Sequence, residues 1–313
     1  MFMDLIFFIF GTILLMFSGD MLVRAAVDIS LKMAVSPMIV GLTVIAFGTS
    51  APELLVGIQA TWNGFEGLAL GNIIGSNITN VLLILGTPAL IMAVKSSDNA
   101  LIWNYYYMLL ATLLFTAFLF FGEINFWQGL FLILLLVLFV LQAILSSSYS
   151  KENCSNHELT PESKKLNSWI LGVFLLAGFV GLPLGANVLI TSATSIAVNI
   201  GVSEEVIGLT VVAIGTSLPE LATSIAAAFR REVNLLFGNV IGSNMFNILG
   251  IAGAAAIISP LQLTDRIEGL SLTALLLTSV CLAPFIIFKK SINRFIGFIF
   301  ILFYMIYLVC LFQ

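Results

Sequence analysis

Ten stretches of mostly apolar residues follow one another along this chain, and that succession restricts its fold more than any other feature. They fall at about 4–31, 37–62, 67–93, 100–121, 125–147, 168–199, 205–229, 234–260, 268–288 and 292–312. A helix of about 20 residues crosses the ~30 Å hydrocarbon core of a bilayer. The expected fold class is therefore an all-α polytopic membrane protein with ten transmembrane helices. Composition agrees: of 313 residues 60% are hydrophobic and 9% charged, too few polar side chains to cover a water-soluble domain of this length. The first stretch lacks a basic lead-in and a small-residue cleavage site, so it is read as a retained span and not a signal peptide. The first and sixth stretches are long and are expected to tilt.

One hydrophilic stretch stands apart, "SSSYSKENCSNHELTPESKKLN" at 146–167. It is too short for a folded domain and reads as a connector, with its lone His157 solvated. Cys154, Cys281 and Cys310 form no ligand or disulfide pattern. Asp20 and Arg24, four apart in the first stretch, read as an ion pair near its cytoplasmic end. Numbering the loops alternately sorts the basic residues. Arg24, Lys32, Lys95, Lys151, Lys164, Lys165, Arg230, Arg231, Lys289, Lys290 and Arg294 fall on one side, and only Arg266 on the other. Basic residues favour the cytoplasmic side, which puts the 146–167 stretch inside and both termini outside the cytoplasm.

The sequence also matches itself after a shift of 167 residues. "SPMIVGLTVIAFGTSAPE" (36–53) lies on "SEEVIGLTVVAIGTSLPE" (203–220), and "GNIIGSNITN" (71–80) on "GNVIGSNMFN" (238–247), without a gap. The halves are thus read as copies of five spans each: 1–147 as the first five-helix repeat, 148–167 as cytoplasmic connector, 168–313 as the second. Five is odd, so the second copy enters the membrane inverted. Inverted repeats are typical of secondary transporters whose site lies at the repeat interface near the midplane.

The repeated stretches carry the chemistry. Pro52 lacks an N–H and, in a continuous helix, its ring would clash with the Gly48 carbonyl; Pro219 would do the same to Gly215. The expected result is a kink that frees backbone carbonyls at membrane depth. Thr49 and Ser50 precede Glu53 by four and three residues, so their oxygens can share one helical face, and Thr216, Ser217 and Glu220 repeat this. Carboxylates, hydroxyls and carbonyls form a hard oxygen set, as Ca²⁺ requires with its 6–8 ligands. Neither motif holds His or Cys, which argues against zinc or copper. Acids inside a membrane are costly and usually functional. Hydroxyls often bond back to a carbonyl one turn earlier, but those of Thr49, Ser50, Thr216 and Ser217 are read in favour of a site role. In the second motif Gly71 and Gly75, and Gly238 and Gly242, are spaced for close helix approach. Asn72, Asn77, Asn239 and Asn244 suit interhelical hydrogen bonding as well as a site. Asn80 and Asn247, deepest in their motifs, are favoured as neutral oxygen ligands.

"GTSxPE" followed by "GNxxGSNxxN", present twice, resembles the α-repeats of the sodium/calcium exchanger family, over roughly 36–93 and 203–260. The resemblance implies that Thr49, Ser50, Glu53, Ser76 and Asn80, with Thr216, Ser217, Glu220, Ser243 and Asn247, line shared Ca²⁺ and Na⁺ sites, joined by the carbonyls of Ala46 and Ala213. It implies that the first and sixth spans move as a gate. The short connector is similar to that of microbial members, and the location implied is a prokaryotic inner membrane. Some relatives carry Asp where this chain has Asn247, which speaks against a K⁺ requirement.

The reading is a Na⁺/Ca²⁺ antiporter that exports Ca²⁺, not an enzyme. Glu53 and Glu220 together carry −2 and match one Ca²⁺, so the empty carrier holds uncompensated buried charge while the loaded one is neutral. The alternatives are a Ca²⁺/H⁺ antiporter, since paired carboxylates can trade protons, and a cation channel. A membrane-embedded hydrolase lacks a nucleophile–base pair. The expected partners are the two ions and the bilayer, with a monomeric transport unit, no cofactor and no nucleic acid.

Overall fold

A chain this rich in Leu, Ile, Phe, Val and Ala, in surroundings that offer its backbone no water, satisfies its peptide groups within helices, and helices account for nearly all of the described residues. The computed structural model describes residues 2–96, 98–149, 167–200, 213–263 and 269–311. In chain order the helices are α1 (Phe2–Met33), α2 (Pro37–Thr49), α3 (Ala51–Trp62), α4 (Glu66–Ile91), α5 (Ala100–Phe120), α6 (Phe126–Tyr149), α7 (Ser168–Asn199), α8 (Ala213–Gly215), α9 (Leu218–Phe229), α10 (Val233–Ile258), α11 (Leu270–Ile286) and α12 (Arg294–Leu311). Seven are long and apolar enough to cross a bilayer: α1, α4, α5, α6, α7, α10 and α12. α2 and α3 reach that length only together and meet at a bend of 46°, while α9 and α11 are shorter apolar helices. α1 and α7 each have 32 residues. At 1.5 Å per residue such helices exceed the ~30 Å core, as a tilted span does.

Two expectations change in detail, and a third is not reached by the described residues. The stretch at 37–62 is two helices. α6 runs on to Tyr149, into the stretch read as connector. The first part of the stretch at 205–229 and most of the connector, His157 and Cys154 included, lie outside the described residues. Short strands also appear: β1 (Glu123–Ile124) pairs antiparallel with β2 (Leu261–Gln262), and Val94 bridges Ile292.

Small residues set how closely the helices approach. α1 and α7 run antiparallel: a Cβ on Gly11 would meet the Leu189 backbone at 2.8 Å, and one on Gly178 would meet the Leu22 Cβ at 2.7 Å. Adding 167 turns Gly11 into Gly178 and Leu22 into Leu189, so these are one contact with the roles of the two helices exchanged. The exchange recurs elsewhere. Gly86 on α4 abuts Gly297 on α12, and Gly253 on α10, its copy, abuts Gly129 on α6. Val94 bridges Ile292, and its copy Leu261 pairs with Ile124. Along α10, Gly238 and Gly242 leave room only for the backbone of Met38 and Leu42 on α2. This is the close approach that small residues permit. For Gly71 and Gly75 the corresponding partners, 205 and 209, lie outside the described residues.

Asp20 on α1 pairs with Arg24 at 3.0 Å, as its spacing predicts, and also with Arg230 just beyond the end of α9. Large apolar side chains such as Phe10, Ile13 and Phe17 cover the outside of α1, where lipid tails solvate them. Trp62, Trp127 and Trp169 are exposed at helix ends, where the indole ring suits the bilayer interface.

Candidate ion-binding site

The proline of "GTSAPE" does not kink a continuous helix. α2 ends at Thr49, Ser50 leaves helical geometry (φ −84°, ψ 5°), and Pro52 lies in the first turn of α3. The N–H groups of a first turn have no intrahelical partner, so proline loses nothing there and its ring meets no carbonyl. The second motif does the same. Ser217 (φ −89°, ψ 6°) precedes α9, and Pro219 lies in its first turn. Two consequences follow. Glu53 and Glu220 each occupy the first turn of a helix, where the positive end of the helix dipole favours a carboxylate. Moreover, Thr49, Ser50 and Glu53 are gathered by a break between helices, not by the face of one helix.

The Ala46 carbonyl, expected to be bare, accepts from Ser50 N at 3.0 Å, with Thr49 Oγ1 at 3.5 Å. It retains capacity for a cation only beside those bonds. Ala213 opens α8 at the edge of the described residues.

Each acid meets the opposite half. Ser50 Oγ donates to Glu220 Oε1 at 3.1 Å, and Thr49 stands beside Glu220 as well. Ser217, the copy of Ser50, stands beside Glu53, which also lies close enough to Glu220 for their charges to interact. α3, which carries Glu53, packs against the turn Phe246–Ile251 that holds Asn247; α9, which carries Glu220, packs against the turn Asn80–Ile84. Both turns are π-helical. The extra residue of a π turn redirects its side chains, and such turns are frequent at functional sites.

Burial and hydrogen bonding single out the same residues. Glu53 and Glu220 are each 1% exposed. Glu53 Oε2, Glu220 Oε2, Asn80 Oδ1, Asn247 Oδ1, Ser217 Oγ and Ser243 Oγ are buried with no hydrogen-bond partner among the described residues. Native proteins leave few buried polar atoms unpaired, so these six, with Asn77 Oδ1 a seventh within the same repeated motifs, need a cause. Asn80 shows how its oxygen comes free: its Nδ2 donates to Asn244 Oδ1 at 2.9 Å. Thr49 and Ser76 are buried and Thr216 is half-buried. The other asparagines are held by hydrogen bonds through their amide nitrogens, although Asn77 Oδ1, like Asn80 Oδ1, has no partner among the described residues. Asn72 Nδ2 bonds the Glu53 carbonyl at 3.2 Å, Asn77 Nδ2 bonds Ile73 O at 2.7 Å, and Asn244 Nδ2 reaches Met108 Sδ at 3.6 Å.

Thr223 and Ser224, which sequence reasoning passed over, are also buried and hydrogen-bonded to Asn239. The repeat could not flag them, because a shift of 167 sets them against Val56 and Gly57. Among the described residues neither acid has a basic partner. Two carboxylates surrounded by neutral oxygens can neutralise a divalent cation and replace part of its hydration shell.

Comparison with known proteins gives a consistent result. The family model "Sodium/calcium exchanger protein" matches over residues 3–145 and again over 170–313. The sodium/calcium exchanger MaX1 of Methanosarcina acetivorans is 30% identical over 96% of this chain and 96% of its own length. The inner membrane protein YrbG of Escherichia coli is 34% identical over 88% of this chain and 86% of its own. A solved structure of the sodium-calcium exchanger NCX_Mj, soaked with zero Na⁺ and Ca²⁺, superposes with a TM-score of 0.85 at 31% identity, covering 98% of each chain.

Proposed function

We propose, for a chain that belongs to the sodium/calcium exchanger family of multi-pass membrane transporters, that it exchanges Ca²⁺ for Na⁺ at one site built on Glu53 and Glu220. One observation carries this reading: two buried acids that have no basic partner among the described residues, each beside a hydroxyl residue of the opposite half, among buried oxygens that lack partners there. Thr49, Ser50, Ser76 and Asn80, with Thr216, Ser217, Ser243 and Asn247, supply neutral oxygens, and the carbonyls of Ala46 and Ala213 complete the shell. A site of charge −2 is neutral with one Ca²⁺ or with two Na⁺. The loaded carrier can therefore pass through an occluded state that the empty one reaches only at the cost of buried, uncompensated charge. That difference couples the two ion flows.

The architecture we infer is ten spans in two inverted repeats, 1–147 and 168–313, joined by a cytoplasmic connector at 148–167. Supporting it are the seven long helices, the bent pair and the two shorter helices, the exchanged contacts between halves, and the family model's two matches. The basic residues orient it in the inner membrane of a prokaryotic cell with both termini outside the cytoplasm. A reporter at residue 155 should read cytoplasmic and one after residue 313 external; finding both on one side would remove the ten-span plan. The transport unit is a monomer, and export of Ca²⁺ follows an inward Na⁺ gradient.

Neutral side-chain oxygens repeated in both motifs favour Na⁺ over H⁺ as the counter-ion. The test is ⁴⁵Ca²⁺ uptake by vesicles of purified protein, loaded with Na⁺ or with choline at one clamped pH. Uptake that requires internal Na⁺ supports this reading. Uptake that follows only an imposed pH gradient would make the protein a Ca²⁺/H⁺ exchanger.

A further inference from the structure

Beside Glu220 runs a chain of hydrogen bonds whose direction is fixed from one end. Thr223 Oγ1 lies 2.9 Å from the Glu220 carbonyl and 3.0 Å from that of Pro219. Carbonyls only accept, so Thr223 spends its single proton on them and can only accept from anything else. Asn239 lies 3.2 Å away and must present its NH₂ group, which also reaches Ser224 Oγ at 3.4 Å. The amide orientation is thereby determined, and Asn239 Oδ1 faces away from Thr223 as an acceptor. Thr49 Oγ1 lies 3.5 Å from that oxygen and 3.5 Å from the Ala46 carbonyl, so its proton has two acceptors within reach. Thr223, Ser224, Asn239 and Thr49 are all at most 2% exposed, so water does not compete.

We propose that Thr223 and Asn239 are positioning residues for the cation: they take the proton of the Thr49 hydroxyl, so that its lone pairs face the site beside Glu220. This inference rests on the reading of Glu53 and Glu220 as the ion site. A hydroxyl has one proton, and while it points at a carboxylate oxygen it occupies a lone pair that a cation needs. Asn239 Oδ1 gives that proton an acceptor that leaves both the carboxylate and the Ala46 carbonyl to Ca²⁺ or Na⁺ when it arrives. The first half reaches the same polarity by a shorter route. Asn72, the copy of Asn239, donates directly to the Glu53 carbonyl at 3.2 Å, and position 56, the copy of 223, is valine. The relay through a threonine thus belongs to the second half alone, and it makes the surroundings of the two glutamates unequal.

The test is a double-mutant cycle with Thr223→Val and Thr49→Val, read both as ⁴⁵Ca²⁺ bound at equilibrium by purified protein and as Na⁺-driven flux. Thr223→Val should weaken Ca²⁺ binding by about fivefold, the scale of one hydrogen bond, and Thr49→Val, which removes the oxygen itself, by at least as much, with a loss of flux as well. In the Thr49→Val background, Thr223→Val should add almost nothing, because the proton it helped to place is gone. Thr223→Ser, which keeps the hydroxyl, should bind as the parent does. Independent, multiplying effects of the two substitutions, or failure of Thr223→Ser to restore binding, would overturn the proposal. So would an unchanged affinity in Thr223→Val. A glutamate substitution assayed alongside separates the two readings. If Glu53→Gln abolishes binding while the cycle shows no coupling, the relay fails and the site stands; if Glu53→Gln binds as the parent does, the site itself fails.

Discussion

Glu53→Gln should abolish Na⁺-driven Ca²⁺ uptake, and Glu220→Gln should do the same, while both proteins insert and fold. Glutamine keeps an oxygen at nearly the same place and removes one of two negative charges. In a partly desolvated site with an effective dielectric of about 20, one unit-charge pair about 4 Å apart is worth about 4 kcal/mol, and a divalent ion feels more than that. A loss of that size weakens Ca²⁺ binding by about a thousandfold or more. The fold should tolerate the change, since each carboxylate has an oxygen with no hydrogen-bond partner and removing a buried, unpaired charge does not destabilise. The check is uptake by vesicles with matched amounts of inserted protein. Near-parental uptake by either variant would remove that glutamate from the site.

Asn247→Asp should give the exchanger a dependence that the parent lacks. Asn247 is 1% exposed, on the π turn that packs against the helix of Glu53, and its Oδ1 has no partner among the described residues. A third carboxylate there brings the site to three negative charges against the two of Ca²⁺. Burying the surplus costs several kcal/mol unless a proton or a monovalent cation joins it. Ca²⁺ flux in the variant should therefore vary with pH, by up to about tenfold per unit between about pH 6 and pH 9, or with K⁺. The parent should respond to neither. Identical responses of the two proteins would mean that Asn247 does not face the ions.

Much of this arrangement was legible in the residues, and the parts that were not have definite physical causes. Hydrophobic runs of bilayer length announce helices, and an ungapped shift of 167 pairs Glu53 with Glu220 and Asn80 with Asn247. Backbone conformation at a single residue is harder to foresee. "GTSAPE" is compatible with a kinked helix or with a break, and the break occurs because Ser50 and Ser217 adopt ψ near zero, which moves each proline to the start of a new helix where it belongs. That step also decides how Thr49 reaches Glu220. The π turns at Asn80 and Phe246 left no sequence signal that we recognised. Thr223 escaped notice for another reason: repeat comparison finds what two halves share, and the copy of this residue, at position 56, is valine. The glycines behaved as their spacing suggested at Gly238 and Gly242, where only hydrogen fits against the backbone of α2.

The most direct test of the paired-carboxylate site is Ca²⁺ binding at equilibrium. Purified parent, Glu53→Gln and Glu220→Gln proteins are titrated with ⁴⁵Ca²⁺ at fixed pH, with and without Na⁺. The account predicts one high-affinity Ca²⁺ per parent chain, displaced by Na⁺, and no high-affinity Ca²⁺ in either variant. High-affinity binding that survives the loss of either carboxylate, or that Na⁺ does not displace, would contradict it.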